Sequence, residues 1–191
     1  MSSLKHLFRG LNIVPIVSAI QRNPQLWNKY TIRTESKESP HGNLDDIWLR
    51  YNDFSNFTGD REAFNHEHDS VWYESSDVIP VKPLVMHLMA SVRGERLGGV
   101  LITRIPAGGR CLPHIDGGWH AGYYEKFAVQ LEGDFKQAFC FDGEEFSAVP
   151  GDAYWFDNSQ THWVNNDSEK DRMTMIVCIK RQGDKLCHGD L

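Results

Sequence analysis

The pattern of apolar and polar positions changes near residue 80. Before that point apolar residues recur at helical spacing at Ile13, Ile16, Val17 and Ile20, which predicts one short amphipathic helix. Residues 34–44 are polar and irregular, and 47–51 read as a strand. From 53 to 76 there is little periodicity. Phe54, Phe57, Phe64, Trp72 and Tyr73 stand there among many acids, so a long surface excursion that can act as a lid is expected. After Pro83, Leu84, Leu88, Met89 and Val92 share one helical face, with Gly94 near its end. Short β-rich runs then follow at 99–105, 110–115, 126–131, 138–141, 145–149, 153–156, 162–165 and 173–179. Gly, Pro, Asn and Asp pairs punctuate them, as turns between strands require.

This succession predicts a mainly β fold with flanking helices: a double-stranded β-helix of jelly-roll, cupin-like form, with the helices against one outer face. An immunoglobulin-type sandwich is the structural alternative, but nothing in the sequence marks its core. One domain over 1–191 is expected, with a helical and irregular part at 1–80, a helix plus β-helix core at 81–180, and a tail at 181–191 that carries no functional signal.

No apolar run is long enough to span a bilayer; residues 11–20 come nearest, and Asn12 and Pro15 interrupt them. The four cysteines, at 111, 140, 178 and 187, form no CxxC pair, which fits reduced thiols in a cytoplasm. Cys140 and Cys178 fall in apolar strands and are expected to be small buried hydrophobes. A net charge of −6 gives no global field for phosphate backbones, so duplex nucleic acid is disfavoured as a general partner, with a local basic groove left open. Six Trp, six Tyr and ten Phe serve cores and ligand pockets alike, so composition does not separate those uses.

Chemistry concentrates in a few positions. His114 and Asp116 lie two apart, and on a strand both point to one face, which in a barrel can be the interior. His162 opens another predicted strand that a closed sheet can return to the same spot. Two imidazoles and a carboxylate on one face of an octahedral ion leave three positions open, the facial triad of non-haem iron(II) oxygenases. Arg172 is expected to begin the antiparallel partner of the His162 strand, after a turn at 165–171. There its planar, always-charged guanidinium can catch the far carboxylate of an oxoacid that chelates the metal. His114, Asp116 and His120 form a local alternative, although Gly117 and Gly118 interrupt a common face. His66 and His68 read as solvated loop histidines, lacking further ligands nearby.

The stretches "RIPAGGRCLPHIDGG", "GDAYWFDNSQTHWVNND" and "DRMTMIVCIK", with a looser "DDIWLRY" upstream, resemble the aspartyl/asparaginyl β-hydroxylase-like branch of the iron(II)- and 2-oxoglutarate-dependent oxygenases, over about 97–180. The resemblance implies His114, Asp116 and His162 as metal ligands and Arg172 on the distal carboxylate of 2-oxoglutarate. It also implies Thr103 and Lys126 beside that co-substrate. Fe(II), 2-oxoglutarate and O2 are the implied cofactors and co-substrates, with ascorbate supportive. The implied reaction hydroxylates an amino-acid side chain, free or peptidyl, releasing succinate and CO2. The same chemistry on another small molecule or a nucleobase is one alternative, and a non-catalytic cupin-like metal-binding or sensing module another.

Two features stand apart within that branch. Some members, the animal peptide hydroxylase among them, lack the middle carboxylate, whereas Asp116 completes the triad here and argues against a halogenase. Lys126 replaces the arginine of the animal enzyme, keeping the charge and losing the bidentate geometry. Around the mouth, Trp119, His120, Tyr123, Tyr124 and Trp155 are the candidate substrate contacts, the first four on a loop after the metal ligands, while Trp155 fits barrel core equally well.

Overall fold

The computed structural model describes residues 3–183. The chain runs β1 (Leu4–Phe8), α1 (Val14–Arg22), β2 (Asp45–Asn52), α2 (Arg61–Phe64), β3 (Ser70–Trp72), α3 (Ser75–Val78), α4 (Lys82–Ser91) and β4 (Gly94–Ile105). It continues through β5 (Arg110–His114), α5 (Gly118–Tyr123), β6 (Glu125–Glu132), β7 (Gln137–Phe141), β8 (Glu144–Phe146), β9 (Ala153–Phe156), β10 (His162–Asn166) and β11 (Arg172–Arg181). Each β run predicted from residue 99 onward coincides with one of β4 to β11, all but β9 with a shifted end. Of the predicted tail, 184–191 and with them Cys187 lie outside the described residues.

Two antiparallel sheets form a double-stranded β-helix. The larger has the order β1-β9-β6-β11-β4-β2-β3 and the smaller β5-β10-β7-β8. Side-chain alternation explains how one strand serves two cores. In β6 and β11, Phe127, Val129, Leu131, Met173, Met175, Val177 and Ile179 join Ile16 and Ile20 of α1 and Val85 and Leu88 of α4 in one apolar cluster. Ala128 and Ile176, on the other face, meet Phe139, Phe141 and Val164 of the smaller sheet in a second cluster between the sheets. The helices therefore seal one face of the larger sheet, and the smaller sheet covers the other.

The 53–76 segment is not a solvated excursion. It holds α2, β3 and part of α3, and Phe64 and Tyr73 pack with Ile32 and Trp48 in a cluster of their own. Backbone closure helps: Tyr73 N–H bonds Leu49 O at 2.9 Å, and the Asn52 amide donates to Phe64 O at 2.7 Å. Among the described residues no helix is long and apolar enough to cross a membrane, and Cys111, Cys140 and Cys178 are free and buried.

Candidate metal and co-substrate site

His114 closes β5 and His162 opens β10, and the two are cross-strand partners in the smaller sheet. Their rings are 4.4 Å apart. Asp116 follows β5 and is fixed through its backbone N–H to Asn158 O at 3.2 Å. One ligating atom from each of the three residues lies within 4.8 Å of the others. His114 Nδ1 sits 2.7 Å from Leu112 O and His162 Nδ1 2.9 Å from Gln160 O, so each ring donates Nδ1–H to a carbonyl and presents Nε2 as a free lone pair. Each Nε2 stands 3.7 Å from an Asp116 oxygen.

Protonation states also suit a cation. Burial holds both imidazoles below the usual histidine range. Burial works the other way on Asp116, but Lys126, His162 and His114 outweigh it and keep the carboxyl below its usual range. Neutral imidazole and ionised carboxylate are the forms a metal requires. Lys126 Nζ donates to Asp116 Oδ2 at 2.5 Å, so this cation is committed to the triad carboxylate while also lining the cavity behind it.

Arg172 lies on β11 of the larger sheet, which pairs with β4 and β6, whereas β10 pairs with β5 and β7. The expected hairpin of the His162 and Arg172 strands does not form. Instead the connection between them crosses from one sheet to the other, tied by Asn166, whose amide donates to Ile105 O at 3.1 Å and Pro106 O at 2.9 Å. The two residues thus face each other across the barrel. A cavity of about 120 Å³ joins them, lined by His114, Asp116 and His162 at one end and Arg172, Thr174 and Tyr154 at the other.

The Arg172 side chain donates from Nη1 to Thr174 Oγ1 at 2.7 Å and from Nη2 to Tyr154 Oη at 3.0 Å. The residue is 3% exposed, and among the described residues no carboxylate pairs with it. A buried guanidinium with only hydroxyl partners is costly unless an anion joins it. Thr103 lines the same cavity and accepts from Arg33 Nη2 at 3.1 Å. The residues present thus fit both a metal and a dicarboxylate stretched from it.

A wider mouth of about 530 Å³ opens on the other side of the triad and shares Arg33, His41, His114, Asp116 and Lys126 with the inner cavity. His120 lines it but is engaged elsewhere: it is buried, its Nε2 accepts from Gly99 N–H at 3.1 Å, and burial pulls it down to about 3. That removes the local His114-Asp116-His120 alternative. The glycine matters, because a Cβ on Gly99 would come within 3.0 Å of Tyr51 and 3.3 Å of the His120 ring.

Trp119 and Tyr123 lie on the short helix α5 rather than a loop, Tyr124 follows directly after it, and none of the three lines either cavity. Tyr124 packs inward over Gly98 and is 1% exposed. Tyr123 lies under Arg96 and Lys180, at 5.5 and 5.8 Å, and Trp119 stacks on it at 5.2 Å. Trp155 belongs to the helix-side core, on the face of β9 opposite Tyr154 and Phe156. The sequence reading missed Tyr154, Arg33, His41 and Arg61. His66 is exposed, and His68 is half-buried, packed on Tyr51 and Trp119 and lining neither cavity. A further group, His41, Cys111 and His114, shares a ligand with the triad; burial pushes the Cys111 thiol up to about 11, which disfavours the thiolate.

No family model and no curated protein matches the chain. Solved structures do. A viral collagen prolyl hydroxylase from Paramecium bursaria Chlorella virus-1, in complex with 2OG, aligns at a TM-score of 0.56 and 12% identity, over 95% of this chain and 97% of that one. A Pseudomonas putida prolyl-4-hydroxylase aligns at 0.52 and 13%, over 95% and 94%. A 2OG-Fe(II) oxygenase-family oxidoreductase from Burkholderia pseudomallei aligns at 0.52 and 12%, over 73% and 68%. At this identity the likeness establishes a common fold, the double-stranded β-helix, and the chemistry rests on the site itself.

Proposed function

We propose that the protein is an iron(II)- and 2-oxoglutarate-dependent oxygenase that hydroxylates an amino-acid side chain, free or within a peptide, releasing succinate and CO2. The observation that carries this reading is a single cavity with a His-Asp-His facial triad at one end and a buried arginine lacking a carboxylate at the other. Similarity of fold to 2OG oxygenases supports it.

His114, Asp116 and His162 would hold the metal from one side, leaving the opposite positions open. The carbonyls of Leu112 and Gln160 orient the two imidazoles, and Lys126 keeps Asp116 ionised and turned toward the metal position. Arg172 would take the distal carboxylate of 2-oxoglutarate, helped by the Thr174 and Tyr154 hydroxyls already bonded to it. Phe139, Phe156 and Val164 line the same cavity and exclude water, which strengthens that ion pair. Bound there, iron(II) with 2-oxoglutarate supplies the means for dioxygen to oxidise an unactivated C–H bond. The mouth beyond the triad is where the substrate carbon would present itself.

The test is direct. Purified protein with iron(II), ascorbate and 2-oxoglutarate is assayed for succinate, alone and against amino acids, peptides and nucleosides. Succinate formation that requires iron and rises with one class of substrate is the expected result. Absence of both 2-oxoglutarate binding and succinate would refute the assignment.

A further inference from the structure

The triad and Arg172 do not account for the cations on the substrate side of the metal position. Lys126 is committed to Asp116. Arg33, from the loop before β2, gives Nε and Nη2 to Asp46 at 2.8 and 2.6 Å, and Nη2 also to Thr103. Its Nη1 has no hydrogen-bond partner among the described residues, and Arg33 lines both the inner cavity and the mouth. Arg61, on α2, lines the same mouth, and its guanidinium has neither an ion pair nor a hydrogen bond among the described residues.

These charges converge. His41 stands against the neutral His114 ring, 4.6 Å away, and burial, with the positive charges of Arg33, Lys126 and Arg61 around it, holds it below the usual histidine range. Two acids line the mouth as well: Asp116, which is paired with Lys126, and Glu38, which like Arg61 is exposed. Trp48, Tyr51 and Ile115 give the same mouth an apolar wall. A concave, partly apolar pocket that holds one guanidinium without an acidic partner, Arg61, and a free guanidinium nitrogen, Nη1 of Arg33, is complementary to an anion with an apolar body.

We infer, resting on the oxygenase reading, that this mouth takes a substrate with an anionic head group, a carboxylate or a phosphate monoester, held between Nη1 of Arg33 and the guanidinium of Arg61. The apolar part lies on Trp48 and Tyr51, and the reacting carbon faces the triad. Because Arg33 is anchored to Asp46, it supplies the fixed half of the clamp. Arg61, carried on the separate short helix α2, supplies the other half.

Binding is measured without turnover, by calorimetry on protein loaded with iron(II) and 2-oxoglutarate under nitrogen. The probes are the twenty free L-amino acids, their carboxamides, and serine, threonine and sugar phosphate monoesters. Acids or phosphates bind better than their neutral counterparts, and Arg61→Gln weakens the preferred anion by about ten- to hundredfold while amides are unaffected. Lys37→Gln, an exposed cation of the same loop that lies outside the mouth, keeps wild-type affinity. Whether the carboxylates or the phosphates show the preference identifies the head group. If 2-oxoglutarate binds but no anion outperforms its neutral partner, or Arg61→Gln keeps the preference, the head-group inference falls alone. If 2-oxoglutarate itself fails to bind, the oxygenase reading falls with it.

Discussion

On the helix-covered face of the larger sheet, β6 and β11 present Phe127, Val129, Met175, Val177 and Ile179, each 0% exposed. On their other face the same strands present Lys126, Gln130, Arg172 and Thr174. Residues of one strand thus divide between two solvents: a hydrocarbon layer closed by α1 and α4, and a polar cavity closed by the smaller sheet. The first face stabilises the fold by removing apolar area from water. The second costs stability, because buried ions and hydroxyls are satisfied only in part until a ligand arrives. Substitutions on the two faces should therefore separate cleanly, those on the cavity side acting on ligands and those on the helix side on unfolding.

The sharpest break in that division is expected at the metal. His162→Ala should weaken iron binding by more than about a hundredfold, since losing even an outer partner of a ligand costs 10–100-fold. His66→Ala should leave binding unchanged. Metal titration followed by elemental analysis distinguishes them, and equal losses would show that the ligands are misassigned.

Next in size is the helix side. Trp155→Ala should cost about 3–5 kcal/mol of unfolding free energy, as expected for an emptied aromatic site in a core. Its indole Nε1 is buried without a partner among the described residues, so no hydrogen-bond acceptor is stranded by the change. Denaturant unfolding measures the loss. A variant that stays as stable as the parent but no longer binds 2-oxoglutarate would move Trp155 back to the site.

Arg172→Ala belongs to the cavity side and should show the converse. Affinity for 2-oxoglutarate should fall by about 2–5 kcal/mol while the metal still binds, because a desolvated charge pair is lost. Calorimetry with and without metal checks both halves. Tight binding of 2-oxoglutarate by this variant would dispose of the anchor.

The same division explains what could be read in the sequence. His114, Asp116 and His162 could be picked out because ligand-type residues at short spacing and turn punctuation are local signals, and Arg172 because a guanidinium soon after His162 suits a carboxylate. The reason expected for Asp116 differs, since β5 ends at His114 and Asp116 is placed by its bond to Asn158 rather than by strand alternation. The sheet that each strand joins was not legible, so His162 and Arg172 were placed on one hairpin although they belong to opposite sheets. In β9 all four residues are buried, so alternation does not say which face Trp155 takes, and the role of its neighbour Tyr154, which holds Arg172, leaves no mark in the sequence. β1 is a five-residue edge strand whose pairing with β9 is wholly non-local. Arg33 and Arg61 sit in segments without period, where only the tertiary structure reveals that their charges meet.

The smallest effect should come from the aromatics of α5, first expected to contact substrate. Trp119 stacks on Tyr123 with an interplanar angle of 18°, and Tyr123 lies under neighbouring cations from β4 and β11 and lines neither cavity. Their role is to hold α5 down on the larger sheet, so that His120 and Ala121 stay at the edge of the pocket. Exposed cation–π contacts contribute about 0.5–1 kcal/mol each. Tyr123→Ala should therefore lower stability by about that amount per contact and leave coupled turnover on an identified substrate within about a factor of two or three. Arg61→Gln should do the reverse, changing substrate affinity and not unfolding. Parallel measurement of unfolding and of product per succinate in both variants decides the matter. Should Tyr123→Ala uncouple succinate from product at unchanged stability, α5 would be part of the substrate wall and the cation-lined mouth would no longer suffice to explain selection.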